Sequence, residues 1–357
     1  MKKLLLLLSV SLTLCLPAFS QDDEEWDTLD SLYESALNEY NSGNYAEAVR
    51  LGTEVLKLCE KLEGKENEDY AMLLNNLALY NSKLGNYTEA IRLGTETMQI
   101  YERVSGKENP DYAASLNNLA MYNAYLGNYK EAIRLGTEAL EIQKSLSGKE
   151  NPNYAMSLNN MAMYNSYLGN YTEAIRLGTE ASEIWEKVLG KEHPDYAMSL
   201  NNLAMYNFYL GNYTEAIRLG TEALGIRERV LGKEHPDYAQ SLNNMAEYNY
   251  HLGNYAEAIR LGTEALGIQE RLLGKEHPDY ANSLNNLANY NCYLGNYTEA
   301  IRLGTEALKI RERVLGKEHP SYSMSLSSLS SYNSYLGNYT EAIRLGTEAL
   351  KIEEKVL

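Results

Sequence analysis

The tripeptide Gly-Asn-Tyr occurs eight times in this chain of 357 residues, and each copy follows the previous one by 42 residues. The copies begin at Gly43, Gly85, Gly127, Gly169, Gly211, Gly253, Gly295 and Gly337. A fixed period of this length indicates a stacked array of small units rather than one compact domain. Because each unit of such an array contacts only its neighbours, we expect function to lie on a long repetitive surface.

One repeat predicts a pair of helices. Pro194 suits the first turn of a helix, where a backbone N–H is not needed, and Gly211 is expected to end that helix. Asn212 is expected to cap the second helix, with Glu215 completing a capping box. Apolar and small residues then recur at helical spacing until Gly232. A hairpin of this size cannot bury its apolar face alone, so the repeats must stack.

Glycine recurs inside the second helix of every repeat, as at Gly220. Glycine in a helix interior costs about 1 kcal/mol relative to alanine, so its repetition needs a reason. We expect Ala216, Gly220 and Ala223 to form a strip of small residues that lets a tyrosine ring or a neighbouring helix approach closely.

The repeat resembles the tetratricopeptide repeat, and in particular the longer variety of kinesin light chains. The matching residues are Leu200, Leu203, Ala204, Gly211, Tyr213, Ala216 and Ala223, with the Leu-Gly-Lys-Glu-His-Pro linker and the Leu-Asn-Asn-Leu-Ala run. The resemblance implies an all-α fold, an α-solenoid of eight antiparallel helical hairpins wound into a right-handed superhelix. It also implies that the first helix of each hairpin faces a concave groove, and that the protein binds peptides or proteins without being an enzyme.

The N-terminus is typical of a bacterial secretory signal peptide. Lys2 and Lys3 precede an apolar run, and Ala18-Phe19-Ser20 provides a small-residue cleavage site. Cys15 is not preceded by small residues, so lipoprotein anchoring is not expected. We therefore predict a secreted or periplasmic protein. Its predicted parts are a signal peptide at 1–20, a short acidic lead at 21–26 and the repeat array at 27–357, with a degenerate first repeat and a last repeat that lacks a capping helix.

The charge of the chain restricts its partners. The formal net charge is −17, and without Lys2 and Lys3 the 30 remaining basic residues stand against 49 acidic ones, a net charge of −19. Such a surface repels phosphate backbones, so we expect no nucleic acid partner. No segment after the signal is apolar enough for an integral membrane span.

No catalytic, cofactor or metal site is predicted, because no nucleophile–base pair or phosphate loop departs from the repeat pattern. The histidines of the linkers, His193, His235, His277 and His319, each precede a proline. Asn109 and Asn151 take their place in earlier repeats, which favours helix capping over metal binding. Cys59 and Cys292 are expected to be single thiols in helices.

The positions at which the repeats differ carry the most information about specificity. Three columns vary along the first helix. The first column is Met72, Ala114, Met156, Met198, Gln240, Asn282 and Met324; the second is Leu79, Met121, Met163, Met205, Glu247, Asn289 and Ser331; the third is Ser82, Ala124, Ser166, Phe208, Tyr250, Cys292 and Ser334. Met, Gln, Glu and Asn do not interchange freely in a core, so we expect an open side of the helix. It is either a diversified groove lining or a tolerant solvated surface.

A pair of asparagines lies between the first two columns. Its second members are Asn76, Asn118, Asn160, Asn202, Asn244 and Asn286, and the last repeat has serines instead. A side-chain amide donates and accepts, so it can match the backbone of an extended peptide of any sequence. In kinesin light chain-like arrays, asparagines of this run contact the bound peptide. The resemblance therefore implies that these six residues bind a partner, and the variable columns add Met121, Met163, Met205, Glu247, Asn289, Phe208 and Tyr250 to the predicted partner-binding groove. The alternative is that the amides bond neighbouring helices and hold the stack.

Tyrosine is abundant, with 31 residues against 2 phenylalanines. One set, which recurs from Tyr80 to Tyr332, is expected in the core with each hydroxyl at a polar edge. A second set comprises Tyr125, Tyr167, Tyr209, Tyr293 and Tyr335. These rings either pack between repeats or, if exposed, form a row that stacks on sugars or contacts apolar side chains of a peptide.

Three functions therefore remain open. The first is an exported interaction scaffold for a protein or extended peptide, and the second is a carbohydrate- or polymer-binding surface. The third is a regulatory array whose effector domain is missing or separately encoded. The uncapped C-terminal helix also leaves self-association open.

Overall fold

A computed structural model describes residues 23–356, and within this range all regular structure is α-helical. The predicted signal peptide at 1–20 lies outside the described residues. The helices are α1 (Asp23–Ser42), α2 (Tyr45–Glu63), α3 (Glu68–Lys83), α4 (Tyr87–Val104), α5 (Pro110–Tyr125), α6 (Tyr129–Ser147), α7 (Pro152–Tyr167), α8 (Tyr171–Leu189), α9 (Pro194–Tyr209), α10 (Tyr213–Leu231), α11 (Pro236–His251), α12 (Tyr255–Leu273), α13 (Pro278–Tyr293), α14 (Tyr297–Leu315), α15 (Pro320–Leu336) and α16 (Tyr339–Val356).

The chain divides into two compact units, residues up to Val188 and residues from Leu189 onward, which we call the N-terminal and C-terminal units. In the N-terminal unit α1 packs on α2, α3 on α4 and α5 on α6, and the second helices α2, α4 and α6 also pack on α3, α5 and α7 respectively. The C-terminal unit repeats this arrangement from α9 to α16. Sixteen helices packed as consecutive hairpins confirm the predicted α-solenoid of eight hairpins.

The first helices begin as the linkers predict. At α9 the Nδ1 atom of His193 accepts a hydrogen bond from the backbone N–H of Asp195 at 3.2 Å, and Pro194 occupies the first turn. The side chain of Asn109 caps α5 in the same way. The capping role predicted for the linker histidines is therefore confirmed, and it requires an unprotonated Nδ1 because a protonated nitrogen cannot accept.

The second helices begin differently from the prediction. Asn212 stands at the N-cap position of α10, but its side chain makes no capping hydrogen bond. Its Nδ2 donates instead to Oδ1 of Asn207 at 3.2 Å, and Nδ2 of Asn207 donates to the carbonyl oxygen of Leu203 at 2.9 Å. The predicted capping box does not form, because the side chain of Glu215 instead pairs with Arg218 at 2.8 Å. The asparagine ties the turn back to the end of the first helix.

The glycines that recur at the position of Gly220 are buried in the core from Gly52 to Gly304. A Cβ atom at Gly94 would stand 3.3 Å from Cε2 of Tyr122, and one at Gly262 would stand 3.0 Å from Cδ2 of Leu287. These distances are tighter than ordinary contacts, so the strip of small residues does admit the next first helix, as predicted. The core tyrosines, Tyr80, Tyr122, Tyr164, Tyr206, Tyr248, Tyr290 and Tyr332, are all buried.

Candidate interaction surface

The open side of a first helix is a single stripe. On α5 the residues Ala114, Asn118, Met121 and Tyr125 are exposed or half-exposed, while the residues between them that face the hairpin core are buried. Their spacing of four, three and four residues places them in one line along the helix. We call the corresponding sides of α3, α5 and α7, and separately of α9, α11, α13 and α15, the first-helix face of each unit.

The first two variable columns lie on this face. The third column was expected there too, but most of it is buried. Ser82, Ala124, Ser166 and Cys292 of the third column are buried. Phe208 is half-buried, with its ring centroid 5.1 Å from that of Tyr248 in the next repeat, and Tyr250 lies equally close to Tyr290. The third column turns toward the following repeat, so its variation repacks the space between hairpins.

Some asparagine amides connect neighbouring first helices. Nδ2 of Asn118 donates to Oδ1 of Asn75 at 3.0 Å, and Nδ2 of Asn244 donates to Oδ1 of Asn201 at 3.3 Å. Asn76 is buried, and its Nδ2 donates to the hydroxyl of Tyr33 at 3.4 Å. These three amides contribute to the stack.

Other amides on the face are open. Asn160 is half-exposed and Asn286 is exposed, and neither side-chain amide forms a hydrogen bond with any residue that the structure describes. Asn202 is half-exposed and has a partner. The six predicted asparagines therefore divide into amides that hold helices together and amides that remain available.

The second column has a partner that sequence reasoning missed. The hydroxyl of Tyr290 donates to Oε2 of Glu247 at 2.8 Å, and the hydroxyl of Tyr332 donates to Oδ1 of Asn289. In both pairs the tyrosine follows its acceptor by 43 residues. This offset, one repeat plus one residue, was the available sequence signal. The second column thus faces the surface on one side and the core tyrosine of the next repeat on the other.

At three positions where the second column is apolar, the tyrosine hydroxyl has no hydrogen-bond partner among the described residues. The hydroxyls of Tyr122, Tyr164 and Tyr248 are buried and make no hydrogen bond within the described residues. The residues that precede them by 43 positions are Leu79, Met121 and Met205. Burial raises the pKa of all three tyrosines, so each hydroxyl stays protonated and able to donate.

Two arginines lie unexpectedly in the interior of the C-terminal unit. Nη1 of Arg311 donates to Oγ of Ser325 at 2.6 Å, and its Nη2 donates to Oδ1 of Asn282 at 2.8 Å. Arg227 is similarly bonded to Ser241. Burial lowers the pKa of both guanidinium groups. Since Asn282 belongs to the first variable column, this contact fixes a side chain of the first-helix face from below.

The second tyrosine set lies at the edge where each hairpin turns, which we call the hairpin-turn edge. Tyr125, Tyr167 and Tyr209 are 49%, 55% and 56% exposed. In each unit, rings of this set also pack against the tyrosine at the first position of the preceding second helix. The ring centroids of Tyr129 and Tyr167, for example, are 5.0 Å apart. The rings are therefore both packed and open, with one face on a neighbour and much of the surface exposed.

The described residues contain no group of three or more His, Cys, Asp or Glu side chains arranged to hold a metal ion. In the same range, none of the helices combines the length and the apolar character that a membrane crossing requires. Cys59 and Cys292 are both buried and form no disulfide bond.

The profile of the tetratricopeptide repeat matches residues 27–103, 69–145, 153–229, 200–271, 237–311 and 279–355. These segments cover most of the chain and agree with the hairpins described above. The protein belongs to the tetratricopeptide repeat family. No curated protein matches the chain.

Several solved structures are similar to this one. A protein from Podosopora anserina, described as a kinesin light chain with nearly identical TPR-like repeats, is 28% identical with a TM-score of 0.54, over 58% of this chain and 98% of that one. BtubC (BKLC) from P. vanneervenii is 21% identical with a TM-score of 0.54, over 69% of this chain and 92% of that one. A Rap protein complexed with Competence and Sporulation Factor is 14% identical with a TM-score of 0.51, over 92% of this chain and 98% of that one. The last two likenesses establish the fold alone.

Proposed function

We propose that the protein is a non-enzymatic, exported scaffold that binds an extended peptide or protein segment along the first-helix face. The observation that carries this proposal is the open stripe of each first helix, on which unbonded amides such as Asn160 and Asn286 alternate with variable side chains. An amide donates to and accepts from a peptide backbone whatever its sequence, and the variable columns then select side chains. The Rap protein of similar fold, which is complexed with a factor, supports a partner-binding role.

The open amides give the sharpest test. Peptides selected from a random dodecapeptide phage library on the wild-type protein are synthesised with a fluorescent label, and their dissociation constants are measured by anisotropy. Asn160→Ala and Asn286→Ala each remove up to two hydrogen bonds to the peptide. We expect binding to weaken about tenfold for a peptide that contacts the altered unit.

Gln99→Ala is the matched control, because it removes an exposed and unbonded amide from the second helix α4. It should leave the dissociation constant unchanged. Equal binding by Asn160→Ala, Asn286→Ala and the wild type would mean that the amides on the first-helix face do not contact the peptide.

The exposed tyrosines favour a second candidate, a carbohydrate-binding surface at the hairpin-turn edge. Aromatic faces that are half open stack on apolar surfaces of ligands, and Tyr167 lies in a row of such rings. Retardation of the protein in a gel that contains a soluble glucan would support this candidate if Tyr167→Ser reduced it. The same substitution should not affect a selected peptide that contacts Asn286, because Tyr167 belongs to the other unit.

The apolar stripe of α16 supports self-association. Tyr339, Ile343 and Leu350 are 66%, 70% and 57% exposed, on the side that inner second helices turn toward the next repeat. Inner first helices pack a leucine and a tyrosine against the preceding second helix. In α1 the equivalent positions hold Ser35 and Asn38. A second copy therefore cannot stack head to tail with matching side chains, and we expect α16 to pair with α16 of that copy.

A further inference from the structure

The second variable column and the core tyrosines form one recurring device. At Tyr290 and Tyr332 the hydroxyl that emerges from the core finds a polar acceptor, Glu247 or Asn289, which is half-exposed on the first-helix face. This geometry shows that a core hydroxyl in the repeat reaches the floor of the second column. The equivalent hydroxyls of Tyr164 and Tyr248 are buried without a partner, and their second-column positions hold Met121 and Met205.

A buried donor without an acceptor is costly, and nearly all buried polar groups in native proteins are paired. Tyr164 is 1% exposed and Tyr248 is 3% exposed, so solvent does not reach these hydroxyls directly. Methionine is the most flexible apolar side chain, since it has three rotatable bonds, and it is common at adaptable binding surfaces. Met121 and Met205 are both half-exposed, so each can turn toward solvent without leaving a core.

We propose that the hydroxyls of Tyr164 and Tyr248 are donor subsites for main-chain carbonyl oxygens of a bound extended peptide, uncovered when Met121 and Met205 turn aside. Each unit then contains one such subsite. The repeats with Glu247 or Asn289 lack it, because their hydroxyls are already occupied by an internal acceptor. The subsite adjoins the asparagines of the first-helix face, so peptide carbonyls would meet a tyrosine hydroxyl and peptide amides an asparagine oxygen. This inference rests on the proposed peptide-binding function.

Replacement of tyrosine by phenylalanine removes only the hydroxyl. The probes are again the labelled peptides selected from a dodecapeptide phage library on the wild-type protein. We expect Tyr164→Phe or Tyr248→Phe to raise the dissociation constant about fivefold, the value of one hydrogen bond. Both variants should unfold at the same urea concentration as the wild type, or at a higher one, because an unpaired buried donor is removed.

Tyr290→Phe is the matched control, since its hydroxyl is bonded to Glu247. It should lower the urea midpoint and leave the peptide dissociation constant within twofold. The inference is overturned if wild-type peptides bind Tyr164→Phe and Tyr248→Phe with unchanged affinity. It is also overturned if both variants lose stability as Tyr290→Phe does, since the hydroxyls would then have an internal partner such as a water molecule. If the wild type selects no peptide, the proposed function fails as well.

Discussion

Glycine inside the second helices shows how a single residue controls the distance between hairpins. In α12, Gly262 packs against Leu287 and Tyr290. A Cβ atom added at Gly267, five residues later, would have only Nη1 of Arg271 nearby, at 3.7 Å. Both glycines weaken the helix by about 1 kcal/mol relative to alanine. Only Gly262 therefore has a packing role that offsets its cost.

This pair gives a prediction within one helix. Gly262→Ala should lower the free energy of unfolding by about 1–3 kcal/mol, because a methyl group must displace the next first helix. Gly267→Ala should raise it by about 1 kcal/mol, because it improves the helix and meets open space. Urea denaturation followed by circular dichroism measures both. Equal stabilisation by the two substitutions would show that the small-residue strip does not set the packing distance.

The residue scale is also where sequence reasoning fell short. The core position of Tyr290 and the packed glycines followed from periodicity, because helical spacing and the repeat fix them. The turn at Asn212 did not, since an asparagine at a helix start can cap forward or bond backward, and only the position of Asn207 decides. The burial of Ala124 and Cys292 was missed because the helical angle between the second and third columns, which share one helix, turns the third toward the next repeat.

At the scale of elements, the order and limits of the helices were predictable. Proline at the first turn, a capping residue before it and glycine after the last turn mark both ends, as in α9, which runs from Pro194 to Tyr209. The linker histidines and asparagines serve the same capping purpose with different atoms. The pairing of Tyr290 with Glu247 was not predictable from one helix, because it joins two first helices across a repeat boundary.

The last helix provides a prediction at this scale. If α16 pairs with a second copy, Ile343→Glu should place an unpaired carboxylate in the contact and make the protein monomeric. Lys309→Glu, which changes an exposed residue of the inner helix α14, is the control and should not alter assembly. Sedimentation velocity over a range of concentrations measures the outcome. A wild type that stays monomeric at every concentration would rule out the pairing.

At the scale of the whole molecule, the near-identity of the repeats separates structure from specificity. The shared residues build helices, caps and hairpin contacts in both units. The differences are concentrated on the first-helix face and directly beneath it, as at Met121, Glu247 and Asn282. The sequence located these variable positions, but it did not show that the second column also covers core tyrosines. A partner that binds this face would therefore contact the variable side chains and also depend on the packing of the core tyrosines beneath them.

Hydrogen–deuterium exchange with a selected peptide tests the central claim most directly. If the peptide binds along the first-helix face, amide exchange should slow in first helices such as α5, α7, α11 or α13, with little change in the outward sides of α6 and α12. Protection confined to the second helices or to the hairpin turns would contradict the account.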